Sequence, residues 1–248
     1  MSSQWQNFLA NLGEWHGTFT AMSPSGAVIR ETPSILTLEP GEAEDPENIR
    51  MVLFRLRRFE GSERSGTPSS DHRQEYRSLG RQVVFFETGT FCKGSLQVAP
   101  GTAFGAELGF IGGDRRHRLV LLWTDSGRFE QLVLIREWRA GSDAPEQPPL
   151  SRSELSGRWH GVSATISADW PEPEVREHTV DLDPEGLPGL ILLPDGGYCS
   201  QPDQVSHRQA FSLEAGWLQA PGQLQRLIRR YDGSGAWQSV SLETLQRA

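Results

Sequence analysis

Gly13-Glu14-Trp15-His16-Gly17 and Gly157-Arg158-Trp159-His160-Gly161 are one pentapeptide, Gly-x-Trp-His-Gly, written twice at a separation of 144 positions. The parallel extends outward from both copies in the same order. Residues 35–40 correspond to 179–184 at the same offset, each block ending in Pro. Residues 84–111 align with 191–218 without a gap at an offset of 107. Eight of those 28 pairs are identical, among them Gly89/Gly196, Cys92/Cys199, Gln97/Gln204, Phe104/Phe211 and Glu107/Glu214. Residues 118–137 follow 226–245 at an offset of 108, with Arg118/Arg226, Ser126/Ser234 and Gly127/Gly235 identical. A period this long signals a duplicated domain rather than a solenoid. The offset falls because the first copy carries 37 extra residues between positions 41 and 83. A Pro/Gly/acidic stretch separates the copies and suits a boundary. The expected division is therefore 1–141, a linker at 142–149, and 150–248.

Within each copy the apolar positions alternate between turn residues, the pattern of an all-β chain. The clearest hairpin sets Leu119-Val120-Leu121-Leu122-Trp123 against Phe129-Glu130-Gln131-Leu132-Val133-Leu134-Ile135 across Asp125-Ser126-Gly127, and Asp232-Gly233-Ser234-Gly235 repeats the turn. The insertion 41–83 reads as strands at 51–59 and 74–77 joined by a Ser/Gly/Pro-rich loop at 61–70. The first unit should thus have about two more strands, and the second should be smaller, its exposed edge leaning on the first. Only the N-terminus looks helical: Trp5, Phe8, Leu9 and Leu12 recur at helical spacing and Gly13 stands at a C-cap position.

The composition excludes several roles. A formal net charge of −8 disfavours nucleic acid as a partner, and Lys93 is the only lysine. No signal peptide is visible at the N-terminus, and the apolar runs fall far short of the roughly 20 residues a membrane span needs. A cytoplasmic protein is expected. Cys92 and Cys199, at matching positions, read as packed thiols rather than a disulfide pair. The six histidines show neither HxH nor HExxH spacing, so no metal site is expected. There is no Walker sequence, Rossmann glycine pattern or G-x-S-x-G elbow; no cofactor and no catalytic residue is assigned, and a non-enzymatic protein is the expectation.

Gly-x-Trp opening the first strand after a short helix resembles the calycin superfamily of lipocalins and fatty-acid-binding proteins. The resemblance implies two tandem lipocalin-like antiparallel β-barrels, each closed at one end by its Trp, often with an Arg from a late strand on the ring. Strand parity with Leu132 and Leu134 makes Arg136 the candidate to cover Trp15; Thr244 takes that place in the second copy, where Arg229 is the substitute. The opening residues 5–17, the tandem halves and the length also resemble a two-domain family of cyanobacteria and chloroplasts, long labelled a domain of unknown function. A plant member of it is a biogenesis factor required for chloroplast ATP synthase, and S-type phycobiliprotein lyases are more distant relatives. The resemblance implies an assembly factor that docks a partner protein, F1 subunits being the candidates. The alternatives are a carrier of a hydrophobic small molecule (tetrapyrrole, carotenoid or lipid) in the first barrel, or a chromophore-lyase-like protein.

The candidate ligand-binding residues are Trp15, Tyr76, Glu107, Arg118, Trp123 and Arg136. Glu107 and Arg118, kept identical with Glu214 and Arg226, read either as an inward polar anchor or as a structural ion pair. If Trp123, Phe104 and Phe129 fill the first barrel, the carrier reading weakens. Arg55, Arg57 and Arg58 on the extra hairpin, preceded by acidic Glu42, Glu44, Asp45 and Glu47, are the candidate partner-binding residues, the alternative being a solvated strand face. His16 and His160 read as ligand contacts at a barrel mouth or as ordinary surface residues of the strand.

Overall fold

The computed structural model describes residues 3–41, 45 and 48–248, so Glu42, Glu44 and Glu47 of the acidic run lie outside the described residues. Strands dominate. The first half contains α1 (Gln4–Leu9), β1 (Gly13–Met22), β2 (Val28–Pro40), β3 (Val52–Arg58), β4 (Ser70–Tyr76), β5 (Val83–Phe85), β6 (Phe91–Gly94), β7 (Phe104–Gly112), β8 (Arg115–Trp123) and β9 (Phe129–Arg139). The second contains α2 (Arg152–Leu155), β10 (Gly157–Ser167), β11 (Glu174–Leu182), β12 (Ile191–Leu192), β13 (Gly197–Ser200), β14 (Phe211–Ala220), β15 (Gln223–Tyr231) and β16 (Trp237–Arg247). The first sheet has nine strands in the order β4-β3-β2-β1-β9-β8-β7-β6-β5, and the second has seven in the order β11-β10-β16-β15-β14-β13-β12. The two additional strands of the first half are β3 and β4 of the insertion, β3 pairing with β2 and β4 with β3. Each sheet ends in two free edges. The first curls until side chains of β2, β4, β5 and β8 face one cavity, so side chains rather than ladder hydrogen bonds close it.

The pentapeptide is explained residue by residue. Gly13 and Gly157 have φ of 126° and 115°, a region that favours glycine. A Cβ on Gly17 would lie 2.6 Å from the Arg136 carbonyl oxygen, and one on Gly161 would strike that of Thr244, so β1 and β10 could not approach β9 and β16. Trp15 and Trp159 between them are fully buried. Each donates its indole N–H to the chain leading into the strand, Trp15 to Asn11 O and Trp159 to Leu155 O, both at 2.9 Å.

Helix α1 ends earlier than its apolar spacing predicts: Ala10 is its C-cap, and Gly13 opens β1 instead of capping the helix. A second helix stands at the matching place. In α2, Ser151 and Glu154 form a capping box, as Ser3 and Gln6 do in α1.

The second sheet does not lean on the first by an edge. The two halves pack face to face through one apolar core, to which β7–β9 contribute Phe104, Leu108, Leu119, Leu121, Trp123 and Leu132, and β14–β16 contribute Leu213, Trp217, Leu227, Val240 and Leu242. Reciprocal contacts surround it. Gln97 Nε2 donates to Ser234 O and Gln204 Nε2 donates to Ser126 O, each at 2.6 Å. Val98 N donates to Gly235 O and Val205 N to Gly127 O, each at 2.9 Å. Residue i of one half contacts j of the other while the counterpart of i contacts the counterpart of j, which is the rule of an isologous dimer, here within one chain. The identities Gln97/Gln204, Val98/Val205, Ser126/Ser234 and Gly127/Gly235 are these contacts. Cys92 and Cys199 are free thiols buried in the same core, where burial pushes both thiols upward.

Candidate functional site

Strand β8 carries four consecutive charged or titratable residues, Arg115-Arg116-His117-Arg118, and all four are buried. Alternation sends them in opposite directions. Arg115 and His117 point to the second half: Arg115 Nη2 donates to Asp195 Oδ2 at 2.7 Å, and His117 stacks on Trp217 with centroids 5.8 Å apart. Arg116 and Arg118 point into the first barrel, whose cavity of about 510 Å³ they line together with Phe8, Phe54, Tyr76, Phe85 and Phe91.

Two carboxylates meet the two inward arginines, but unequally. Glu137, fully buried, takes Arg118 in a bidentate pair at 3.0 and 2.8 Å, and Glu107 takes the third contact at 2.6 Å. Arg116 has only a loose approach to Glu137, Nε to Oε2 at 3.4 Å. Its Nε and Nη1 are buried without a hydrogen-bond partner. The guanidinium lies 4.9 Å over the Trp15 ring. Burial pushes Arg116 down to about 10, against the pull of Glu137, and leaves it charged at neutral pH. Asn11 Oδ1, on the same lining, is a second buried atom without a partner, although its Nδ2 donates to Gly89 O at 2.9 Å.

The second half repeats the glutamate-held arginine with several residues changed. Arg226 is bidentate to Glu214 at 2.7 Å for both contacts and reaches Glu243 at 2.8 Å. Tyr198, where the first half has Phe91, donates to Glu214 at 2.7 Å. Arg116 and Glu137 face each other across β8 and β9; the pair at the equivalent register of β15 and β16 is Leu224 and Leu245. These leucines pack with Trp159, Tyr198, Leu155 and Leu218.

Residues 1–142 match the N-terminal part of a domain of unknown function, DUF3598. The chain belongs to the DUF3598 family. Residues 186–248 of this DUF3598 protein match the C-terminal domain of biogenesis factor required for ATP synthase 1. It is similar to a DUF3598 protein of unknown function from Nostoc punctiforme PCC 73102, whose crystal structure superposes with a TM-score of 0.87 at 35% identity over 100% of both chains. The S-type phycobiliprotein lyase CpeS of Guillardia theta overlays with a TM-score of 0.38 at 15% identity, over 57% of this chain and 95% of that one. No curated protein matches the sequence significantly. Among the described residues, no helix is long and apolar enough to cross a membrane.

The structure brings Tyr76, Glu107 and Arg118 to the cavity lining, with Trp15 beneath Arg116. Trp123, with Phe104 and Phe129, lies on the other face of the sheet in the core shared by the halves, so none of the three fills the barrel. Arg136 does not cover Trp15. It opposes Thr18, three residues short of the Trp, and pairs outward with Glu146 at 2.9 Å. Arg139, directly opposite Trp15, stacks on the ring at 4.3 Å. In the second half Arg247 covers Trp159 at 4.5 Å, and Arg229 instead lies over Trp237 in the shared core. Parity misled because β9 is buried on both faces: Leu132 and Leu134 face the other half while Glu137 faces inward. The Arg139/Arg247 match stands two residues beyond the aligned block, at the same offset.

The docking arginines divide. Arg55 is bidentate to Asp71 at 2.9 and 2.7 Å and Arg57 reaches Glu14 at 3.3 Å, both on the outer face of β3. Arg58, of opposite parity, lies 4.7 Å over Phe19, half-buried, with its pKa lowered by burial and by Arg118. His16 sits at the surface against Glu14 at 2.8 Å, and His160 is exposed.

Proposed function

We propose that this DUF3598 protein is a non-enzymatic assembly factor that docks on an unassembled subunit of a larger complex, the ATP synthase head being the leading target. The observation that carries the reading is the match of residues 186–248 to the C-terminal domain of an ATP synthase biogenesis factor. The face-to-face packing supports it, since one shared apolar core joins the two halves that a partner would meet. The outer face of the β3–β4 hairpin, which the second half lacks, is the proposed contact, with Arg55 and Arg57 among its charges. The test mixes the purified chain with separately purified F1 subunits and with the assembled F1 head, followed by size-exclusion chromatography with light scattering. A complex with a free subunit that the assembled head does not form is the expected result, and Arg55→Glu/Arg57→Glu should abolish it. No complex with any free subunit overturns the reading.

The cavity favours a second reading, a small-molecule carrier, because about 510 Å³ lined by aromatic side chains with a few polar groups is the form ligand sites take. Native mass spectrometry of protein purified from its own cells checks it. An added mass of several hundred daltons, lost on denaturation, is expected; the bare chain under all gentle conditions counts against it.

A further inference from the structure

The cavity of the first half holds a charged donor that the protein itself does not satisfy, and its counterpart in the second half has been replaced by leucine. We infer that the first barrel binds an amphipathic carboxylate, with Arg116 as the anchor for the acid group and the aromatic lining as the seat of an apolar tail. The inference rests on the carrier reading above and names its ligand class.

Hydrogen-bond accounting selects Arg116 over Arg118. The Arg118 guanidinium already contacts Glu107 and both oxygens of Glu137, so an incoming acid would have to displace a buried carboxylate. Arg116 is 3% exposed, and its Nε and Nη1 lack partners although the residue lines the cavity. A buried guanidinium left with unmade hydrogen bonds is costly, and a planar carboxylate satisfies two of its N–H groups at once. The charges agree. Lys93, Arg77, Arg116 and Arg118 line the cavity against Glu75 and Glu107, with Glu137 behind them, so one positive charge is in surplus.

The duplicate supplies an internal control. Its inward Arg226 is held by two glutamates, as Arg118 is. If a Trp floor and a Glu–Arg–Glu cluster were all that the fold required, the first half could carry leucine at 116 as the second does at 224; Glu137 belongs to the cluster, where Glu243, at the place of Ile135, serves the second half. Arg116 adds a charge over the Trp15 ring in the half whose interior is a cavity. Tail recognition falls to Phe8, Phe54, Tyr76, Phe85 and Phe91, which form a chain of ring contacts with centroids 5.1–5.9 Å apart.

The test is isothermal titration of the full-length chain with decanoate, decanol and decyltrimethylammonium, repeated on Arg116→Leu, which places at 116 the leucine that the second half carries at 224 and leaves the Arg118–Glu137 pair in place. The wild type should bind decanoate about tenfold or more tighter than the other two. In this variant decanoate should fall to the level of decanol, with decanol binding and the thermal midpoint maintained. A wild type that binds decanol as tightly as decanoate, or a folded variant that keeps the preference, overturns the carboxylate site while the carrier reading stands. Binding of none of the three probes by the wild type removes both.

Discussion

The interior floors of the two halves share one design and differ most at a single cross-strand pair. In both, a buried Trp donates to the turn before it and carries an Arg from the last strand, and a glutamate-held Arg lies nearby. Over Trp15 the fold then adds Arg116, facing the Glu137 that also holds Arg118; over Trp159 the same two places carry Leu224 and Leu245, and Glu243 supplies the second carboxylate. The second floor is the cheaper solution, because a buried ion pair repays its desolvation only with complete hydrogen bonding, which Arg116 lacks. A duplicated domain therefore separates what the architecture needs, present twice, from what one copy has acquired for another purpose.

The comparison breaks most sharply when the acquired pair is transplanted. Leu224→Arg alone should destabilise the protein by about 3–5 kcal/mol, because it puts a charge without a partner among Trp159, Tyr198 and Leu218. Adding Leu245→Glu, directly opposite on β16, should restore part of the loss. Urea unfolding of both single variants and the double variant measures the coupling. Equal stability of Leu224→Arg and wild type would mean that the second interior is open to water and that the contrast between the floors is false.

A smaller effect tests what the floors share. Arg139→Ala and Arg247→Ala should each cost about 1–2 kcal/mol, since each removes a stack on a buried Trp and a hydrogen bond, from Arg139 Nη1 to Leu12 O at 2.9 Å and from Arg247 Nη1 to Ser156 O at 2.8 Å. Arg136→Ala should cost less than about 1 kcal/mol, because its partners Glu31 and Glu146 are solvent-exposed. Matching losses for 139 and 247 in thermal unfolding would confirm equivalent floors; a larger loss for 136 would reverse the assignment.

How much of this could be read from the chain depends on which level carries it. The repeat, the strand pattern and the two additional strands were legible because they live in local alternation and in spacing. Gln97/Gln204 was visible as an identity, but its meaning was not, since reciprocal docking depends on which sheet faces meet. The inward and outward sides of β8 and β9 were illegible for the same reason. A strand buried on both faces loses the polar–apolar alternation that reveals orientation. Arg115-Arg116-His117-Arg118 looks like a solvated stretch, and nothing local says that two of the four enter a cavity and two enter the other half. The α2 capping box, Ser151-x-x-Glu154, was by contrast available as a signature before a Leu.

His117 gives the smallest effect and the finest comparison. Its counterpart is Gln225, which accepts from Thr90 Oγ1 at 2.8 Å and so crosses the same interface in the opposite sense. Burial lowers the His117 pKa below its ordinary value of about 6.5, with Asp195 pulling upward and Arg115 and Arg136 pushing further down. A folded state that holds this imidazole neutral binds fewer protons than the unfolded chain as the pH drops below that value. Its contribution to stability is therefore present above the unfolded pKa and is lost on acidification, until the folded pKa is reached. Replacing His117 by Gln, the residue of the other half, should remove this part of the pH dependence. The unfolding midpoint of wild type should fall more between pH 7 and pH 5 than that of His117→Gln, and the difference isolates the histidine from carboxylates common to both proteins. Parallel pH profiles would mean that folding leaves the His117 pKa where it is in the unfolded chain, and a wild-type midpoint that falls less than the variant's would mean that His117 is protonated in the fold, held by Asp195 at 3.5 Å. The stack on Trp217 would then be a cation–π contact, and the interface would bury a charge on its first-half side and none at Gln225.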